Sequence, residues 1–113
     1  GNYTANIAPN VSGGSTVFEN LETIFQQDLN GDGTIGVRTT TIESLGSTSL
    51  LQTGNNYELG TAGPILKYNG AQVVSGQFAS WAPIGAEHTA TGFDVAWKWA
   101  GADLYTVWTT DAN

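Results

Sequence analysis

The sequence predicts an α+β domain that is mostly β: an antiparallel, sandwich-like meander with one N-terminal helix leading into an EF-hand-like calcium loop. Helical spacing of apolar residues is confined to 15–27, short β-prone runs fill the chain after 38, and DLNGDGTIG lies between them. A length of 113 residues is that of one domain. We expect one domain over 1–113, divided into a linking strand (1–14), the helix with the calcium loop (15–38) and a tryptophan-rich β region (39–113).

Charge and composition exclude several classes of protein. Ten acidic and three basic residues give a net charge of −7, which leaves too few cations to hold nucleic-acid phosphates. The chain has no cysteine, so disulfides and thiolate-bound metals are excluded. No apolar run approaches the ~18 residues of a membrane span, which predicts no membrane insertion. Charged residues are only 12% of a chain rich in Gly and Thr, a composition typical of secreted bacterial β-proteins.

The first elements are a strand and a helix. Tyr3, Ala5 and Ile7 alternate before Pro9, which predicts a short strand followed by a link. In 15–27 the apolar residues follow helical spacing, which predicts a helix that buries them as one stripe. The stripe is Val17, Phe18, Leu21, Ile24 and Phe25. Thr16 and Glu19 have the spacing of a capping box at its start.

The β region consists of short runs separated by Gly and Asn, as in an antiparallel meander. The clearest run is 93–99, where Phe93, Val95, Trp97 and Trp99 alternate with smaller or polar residues. A turn at Gly101–Ala102 leads to the next run, which carries Leu104, Tyr105, Val107 and Trp108. These two runs predict a C-terminal hairpin that supplies much of the core.

The segment DLNGDGTIG predicts a calcium site. Asp28, Asn30 and Asp32 take positions 1, 3 and 5 of an EF-hand-type loop, and the carbonyl of Thr34 takes position 7. Gly33 permits the sharp turn at position 6, and Ile35 is expected to anchor the loop to the core. Oxygen ligands in a flexible loop favour Ca²⁺ over Mg²⁺. The alternative interpretation is a bare Asx/Gly turn that ends the helix.

The loop lacks the acidic residue of position 12, where Thr39 stands. A missing carboxylate must therefore come from elsewhere. Glu43 is the first candidate because it is the nearest acid downstream, with Glu22 and Asp111 as weaker ones. Few carboxylates predict a modest affinity, at about 10⁻⁴–10⁻³ M.

The remaining chemistry-bearing residues favour a protein that is not an enzyme. His88 is the only histidine, no nucleophile motif is present, and Glu87 with Asp94 forms no organised acidic pair in the sequence. The four tryptophans are expected mainly in the core. Trp81 and Trp99 are the candidates for exposed residues that bind a sugar ring or a partner.

The run WAPIGAEHTATGFDVAWKWAGADLYTVWTTDAN resembles the bacterial tryptophan-rich C-terminal domain first named from a Synechocystis species. FQQDLNGDGTIG, TTTIESLGSTSLLQTGNNYEL and GPILKYNG are similar to other parts of that unit, so the resemblance covers nearly the whole chain. It implies a tandem repeat of large secreted, adhesin-like proteins that carry hemolysin-type calcium-binding repeats, and it brings no catalytic residues. In such repeats a closing DxN is followed by GNY, which implies that 1–113 is one unit of an array.

The combined expectation is a non-catalytic, Ca²⁺-stabilised extracellular or cell-surface module with an adhesive, structural or self-assembling role. Its expected partners are neighbouring copies of the repeat or cell-surface components, including glycans. The alternative is a carbohydrate-binding module of a secreted enzyme that uses exposed Trp and Tyr side chains.

Overall fold

The computed structural model describes residues 1–8 and 10–113. In these described residues one helix, α1, precedes eight strands. Their bounds are α1 Thr16–Phe25, β1 Thr39–Glu43, β2 Leu50–Thr53, β3 Asn56–Leu59, β4 Lys67–Tyr68, β5 Ala71–Gln72, β6 Trp81–His88, β7 Gly92–Trp99 and β8 Tyr105–Asp111. The helix is not long or apolar enough to cross a membrane, and the described residues contain no other helix that is.

The strands form antiparallel sheets in chain order, which confirms the predicted mostly-β meander. One sheet has the order β1-β2-β3, another the order β6-β7-β8, and β4 pairs with β5 as a small hairpin. The register shifts once in β1–β2 and once in β6–β7, between Pro83 and Gly85. The turns between the strands are short, so the strand that follows in the chain is the nearest available partner.

The core joins the two three-stranded sheets. Its buried members come from β2, β3, β6, β7 and the segments between them: Leu50, Tyr57, Leu59, Leu66, Val73, Ala86, Phe93, Val95 and Trp97. Trp97 is 2% exposed and lies with its ring centroid 4.4 Å from that of Trp108. The alternation predicted for 93–99 thus places Phe93, Val95 and Trp97 inside.

The predicted C-terminal hairpin is present, but its second strand contributes less to the core than expected. Leu104, Tyr105 and Val107 are all more than half exposed, whereas Trp108 packs against the core. In β8, Tyr105 and Val107 lie opposite Lys98 and Ala96 on the outer face, whereas Trp108 lies opposite the buried Val95.

The strand predicted in 1–14 does not form in 1–8 or 10–14. Tyr3 is 82% and Ile7 75% exposed, so the alternating side chains have no surface to pack against. An extended segment without a hydrogen-bonded neighbour does not make a strand. The expected break at Pro9 lies outside the described residues.

Two predictions about the helix are wrong. The N-cap is Ser15, whose hydroxyl accepts the Phe18 N–H at 3.2 Å, instead of the predicted Thr16–Glu19 box. The apolar stripe is only partly buried, with Phe18 and Leu21 half-buried, because the inner face of α1 meets a polar loop and a turn and not the apolar core. Val17, Ile24 and Phe25 are 57%, 74% and 58% exposed.

Asn56, the first residue of β3, connects the helix to the sheet. Its side-chain Oδ1 accepts the Thr16 hydroxyl at 3.0 Å, and its Nδ2 donates to the Val73 carbonyl at 2.9 Å. Asn56 is 6% exposed, so both bonds lie away from bulk water. The start of α1 is therefore fixed beside the β2–β3 turn.

Candidate metal centre

The inner face of α1 carries two buried carboxylates. Glu19 is 1% and Glu22 0% exposed. They lie three residues apart, so they share one face of the helix about one turn from each other. Buried glutamates without pairing are rare because desolvation of a charge is expensive. What surrounds these two carboxylates therefore decides what the site can do.

Glu22 fixes the position of the 28–36 loop. Its Oε1 accepts the Asn30 N–H and its Oε2 accepts the Gly36 N–H, each at 3.0 Å. The two donors lie six residues apart, near opposite ends of the loop. One carboxylate thus holds the loop against the helix and satisfies two main-chain donors that would otherwise be buried unpaired.

The loop also closes on itself through Asp28. The Asp28 carboxylate accepts the N–H groups of Gly31, Asp32 and Gly33 at 2.8–3.1 Å. Gly31 and Gly33 have φ values of +76° and +88°, a conformation that glycine adopts without strain. The result is a tight turn whose main-chain N–H groups face the Asp28 side chain.

Three carboxylates converge where the loop meets the helix. One oxygen from each of Glu19, Glu22 and Asp32 lies within 4.8 Å of the others. Asn30 adjoins them, since its Nδ2 donates to Glu19 Oε2 at 3.4 Å and to the Gly13 carbonyl at 2.7 Å. We call Glu19, Glu22, Asn30 and Asp32 the acidic cluster.

The two ends of the cluster differ in their electrostatics. Burial raises the pKa of the Glu19 carboxyl above its ordinary value, and the neighbouring Asp32 raises it further. The Thr34 N–H, which donates to Asp32 Oδ1 at 2.8 Å, lowers the pKa of Asp32. Two ionised carboxylates this close repel each other, so either one of them carries a proton or a metal ion lies between them.

Glu19 also has an unsatisfied oxygen. Its Oε1 is buried and has no hydrogen-bond partner among the described residues. A buried carboxylate oxygen left without a partner is costly, and a cation would satisfy it. This orphaned oxygen is the observation that separates the cluster from an ordinary acidic surface.

A cleft of about 400 Å³ opens onto the cluster and gives an ion a path to it. Glu19 and Asp32 line one part of it, and Arg38 and Gly54 line another. The Arg38 guanidinium donates to the Asp32 main-chain oxygen at 3.0 Å. Arg38 thus adds positive potential at the entrance and contributes to the lowered pKa of Asp32.

The structure brings together some of the predicted ligands and separates others. Asn30 and Asp32 lie in the cluster, as does Glu22, the weaker candidate for the missing carboxylate. Asp28 and Thr34 shape the loop beside it. Ile35 is 55% exposed and does not anchor the loop.

Two candidate carboxylates lie elsewhere. The Glu43 carboxylate accepts the N–H groups of Leu45 and Gly46, so it caps the turn after β1. Asp111 accepts the Asn113 N–H at 3.0 Å at the end of β8. Neither belongs to the carboxylate group found among the described residues.

Glu19 was missed as a ligand candidate because the sequence pattern assigned it to a capping box with Thr16. The available signal was its spacing from Glu22: two acids three residues apart, on the helix that leads into an acidic loop, share the face that meets that loop.

The aromatic residues form a second feature. Trp81 is half-buried and meets Trp99 edge to face, with ring centroids 5.5 Å apart. A cleft of about 410 Å³ adjoins Trp81 and is lined by uncharged side chains. They are Tyr68, Phe78, Trp81, Trp97, Thr106 and Trp108. Trp99, also half-buried, stands beside this cleft and does not line it.

The fold and site define a class of protein: a small antiparallel β domain with a tryptophan-rich core and an acidic helix–loop at its N-terminal side. Residues 43–113 match the family model described as the Tryptophan-rich Synechocystis species C-terminal domain, and the chain belongs to this family. The match begins at the end of β1, so it includes the aromatic core and leaves out α1 and the acidic cluster. No curated protein and no solved structure matches the chain.

Proposed function

We propose that this chain is a non-catalytic, Ca²⁺-stabilised module of a secreted or cell-surface protein, with an adhesive or structural role. The observation that carries the proposal is the buried, unpartnered Oε1 of Glu19 in a group of three carboxylates. The ligands would be Glu19, Glu22 and Asp32. Asn30, whose Nδ2 faces Glu19 and whose Oδ1 accepts the Asp32 N–H, would hold the carboxylates in place. Asp28 and Thr34 would hold the loop in shape.

The donor set favours Ca²⁺ among metal ions. The cluster offers oxygen atoms and neither sulfur nor imidazole nitrogen, which disfavours zinc and other softer metals. Its ligands come from a helix and a glycine-rich loop, and such a mixed set suits the loose geometry of Ca²⁺ better than the strict octahedron of Mg²⁺. We expect a dissociation constant of about 10⁻⁴–10⁻³ M, as in other extracellular calcium modules.

Thermal unfolding tests this proposal. Ca²⁺ at about ten times its dissociation constant would stabilise the folded state by about 1.4 kcal/mol and raise the transition temperature by several degrees above that in EDTA. Mg²⁺ at the same concentration is the control for ionic strength and should give a smaller shift. Equal transition temperatures in EDTA and in millimolar Ca²⁺ would overturn the metal site.

The exposed apolar side of α1 supports the adhesive or structural role. Val17, Ile24 and Phe25 form an outer surface on the helix, and exposed apolar patches of this kind mark contact sites. We propose neighbouring copies of the domain, in a repeat of the hemolysin-type or adhesin-like kind, as the partners. Sedimentation of a two-copy chain tests this: association that disappears in Val17→Ser/Ile24→Ser supports it, and a monomer at all concentrations contradicts it.

A second candidate function is carbohydrate binding at the aromatic cleft beside Trp81. The uncharged lining favours a neutral ligand, and aromatic faces stack on the apolar side of a sugar ring. Titration of tryptophan fluorescence with a panel of neutral polysaccharides tests it, with Trp81→Ala as the variant that should lose any response. A flat response across the panel would remove this candidate.

A further inference from the structure

Gly54, in the turn between β2 and β3, faces three oxygen atoms from the helix side of the molecule. A Cβ placed on Gly54 would lie 2.9 Å from Glu19 Oε1, 2.9 Å from Thr16 Oγ1 and 3.2 Å from the Gly14 carbonyl oxygen. The Gly54 N–H donates to the Arg38 carbonyl at 2.8 Å, which fixes the turn in this place. Three oxygens therefore converge on a small space that exists only because residue 54 has no side chain.

The hydrogen atoms available there do not satisfy these oxygens. The only hydroxyl among the three belongs to Thr16, and it donates to Asn56 Oδ1 at 3.0 Å. Thr16 Oγ1 therefore has only lone pairs, and no hydrogen, available toward Glu19 Oε1 and the Gly14 carbonyl. Glu19 Oε1 has no hydrogen-bond partner in the part of the chain that the structure describes. Three electron-rich atoms close together without a donor repel one another unless a cation lies among them.

We propose that the metal ion of the acidic cluster is also bound by the Gly14 carbonyl and the Thr16 hydroxyl, and that it thereby clamps α1 and its loop to the β2–β3 turn. This inference rests on the proposed Ca²⁺ function. Gly14, Glu19, Asp32 and Gly54 line one cleft, so an ion in it can reach the Gly14 carbonyl and two of the carboxylates. Thr16 Oγ1 and the Glu22 carboxylate do not line the cleft, but each lies close to Glu19 at its wall. Two neutral oxygens and three carboxylates supply five ligand groups, and one bidentate carboxylate brings the number of oxygens to six, the lower end of the range for Ca²⁺.

The clamp gives Gly54 a function beyond its backbone conformation. Its φ is +60°, so any other residue would be strained there. The backbone reason alone does not distinguish it from Gly70, in the β4–β5 turn, whose φ is +79°. A Cβ on Gly70 would meet nothing within 4 Å, whereas a Cβ on Gly54 would enter the space among the three oxygens.

This pair of glycines supplies a matched experiment: isothermal titration of wild type, Gly54→Ala and Gly70→Ala with CaCl₂, and unfolding of each in EDTA. Both variants carry similar backbone strain, and Gly54→Ala should lose more stability in EDTA because its Cβ also meets the three oxygens. We expect Gly54→Ala to bind Ca²⁺ at least about tenfold more weakly, and Gly70→Ala to bind as wild type does. Equal Ca²⁺ affinity in Gly54→Ala and wild type would overturn the clamp and leave the proposed function standing. Absence of binding to wild type would overturn both.

A second variant covers the case in which Gly54→Ala does not fold. Thr16→Val keeps the shape of the side chain and removes its oxygen, and Thr23→Val makes the same change at an exposed position of α1. We expect Thr16→Val to weaken Ca²⁺ binding and Thr23→Val to leave it unchanged. Unchanged affinity in Thr16→Val would remove the hydroxyl from the ligand set and contradict the proposal.

Discussion

Glu19 and Ile24 lie on one short helix with the reverse of the expected burial: the glutamate is 1% exposed and the isoleucine 74%. The inner face of α1 packs on main-chain N–H groups of a loop, which require acceptors that an apolar side chain lacks. Carboxylates on that face satisfy these donors and leave negative charge in a buried place. The same arrangement that orders the loop therefore creates the proposed cation site.

The pH dependence of the metal-free protein should report on Glu19. Its pKa in the folded state is raised above its ordinary value of 4.5, so its contribution to stability is present below pH 4.5 and is lost as the pH rises through the folded-state pKa. Asp32 has the opposite sign: its lowered pKa gives stability above its ordinary value of 3.8 that is lost as the pH falls. Urea unfolding in EDTA from pH 4 to pH 7 should show wild type losing stability relative to Glu19→Gln. Parallel curves for the two proteins would contradict the buried carboxylate.

The cap of α1 should affect both stability and metal binding. Ser15→Ala removes the acceptor of the Phe18 N–H and should lower the free energy of unfolding by about 1 kcal/mol. Because α1 carries two of the three carboxylates, a frayed helix should also bind Ca²⁺ more weakly. Chemical denaturation and calcium titration measure the two effects, with Ser47→Ala, an exposed turn position, as control. A stable Ser15→Ala protein with wild-type behaviour would argue against this cap.

The tryptophans should divide by burial. Trp97 is nearly inaccessible and packs against Tyr57, Phe78 and Trp108, so Trp97→Ala should lower the free energy of unfolding by about 3–5 kcal/mol. Trp99 is half-buried, so Trp99→Ala should lower the free energy of unfolding clearly less than Trp97→Ala does. Urea denaturation of the two variants compares them directly. A larger loss in Trp99→Ala would contradict the placement of the core around Trp97.

Glu43 should not be a calcium ligand. It caps the turn after β1, so Glu43→Gln should change the Ca²⁺ affinity by no more than about twofold. Calcium titration of this variant distinguishes the ligand set proposed from the structure, which lacks Glu43, from the set predicted from the sequence, which includes it. A variant that no longer bound Ca²⁺ would restore Glu43 as the missing ligand.

The β region could be predicted from the sequence because its signals are local. Alternation in 93–99 fixes which side chains of β7 face inward, and Gly- and Asn-rich turns separate the strands. The sequence does not settle which face of β8 is buried, because Tyr105, Val107 and Trp108 are all apolar and do not share one face of a strand. In the structure Trp108 faces the core, and Tyr105 and Val107 lie on the opposite, exposed face.

The sequence predicts a site for a metal ion in the 28–36 loop, but it identifies only some of the residues in the acidic cluster. The 28–36 spacing marks a loop whose oxygens converge, and it supplies Asn30 and Asp32. The helical contribution depends on which face of α1 meets the loop, and the apolar periodicity indicates the opposite face. Gly54 could not be inferred from sequence, because its role arises from a contact with Glu19 across 35 positions of the chain.

Calorimetric titration of the metal-free protein with CaCl₂ at neutral pH, run beside Glu19→Gln, tests the central claim most directly. Asp103→Asn, which removes an exposed charge in the β7–β8 turn, controls for net charge. The account predicts saturable binding of about one Ca²⁺ to wild type and Asp103→Asn, and a loss of about tenfold or more in affinity for Glu19→Gln. Wild-type binding by Glu19→Gln, or no binding by wild type, would contradict it.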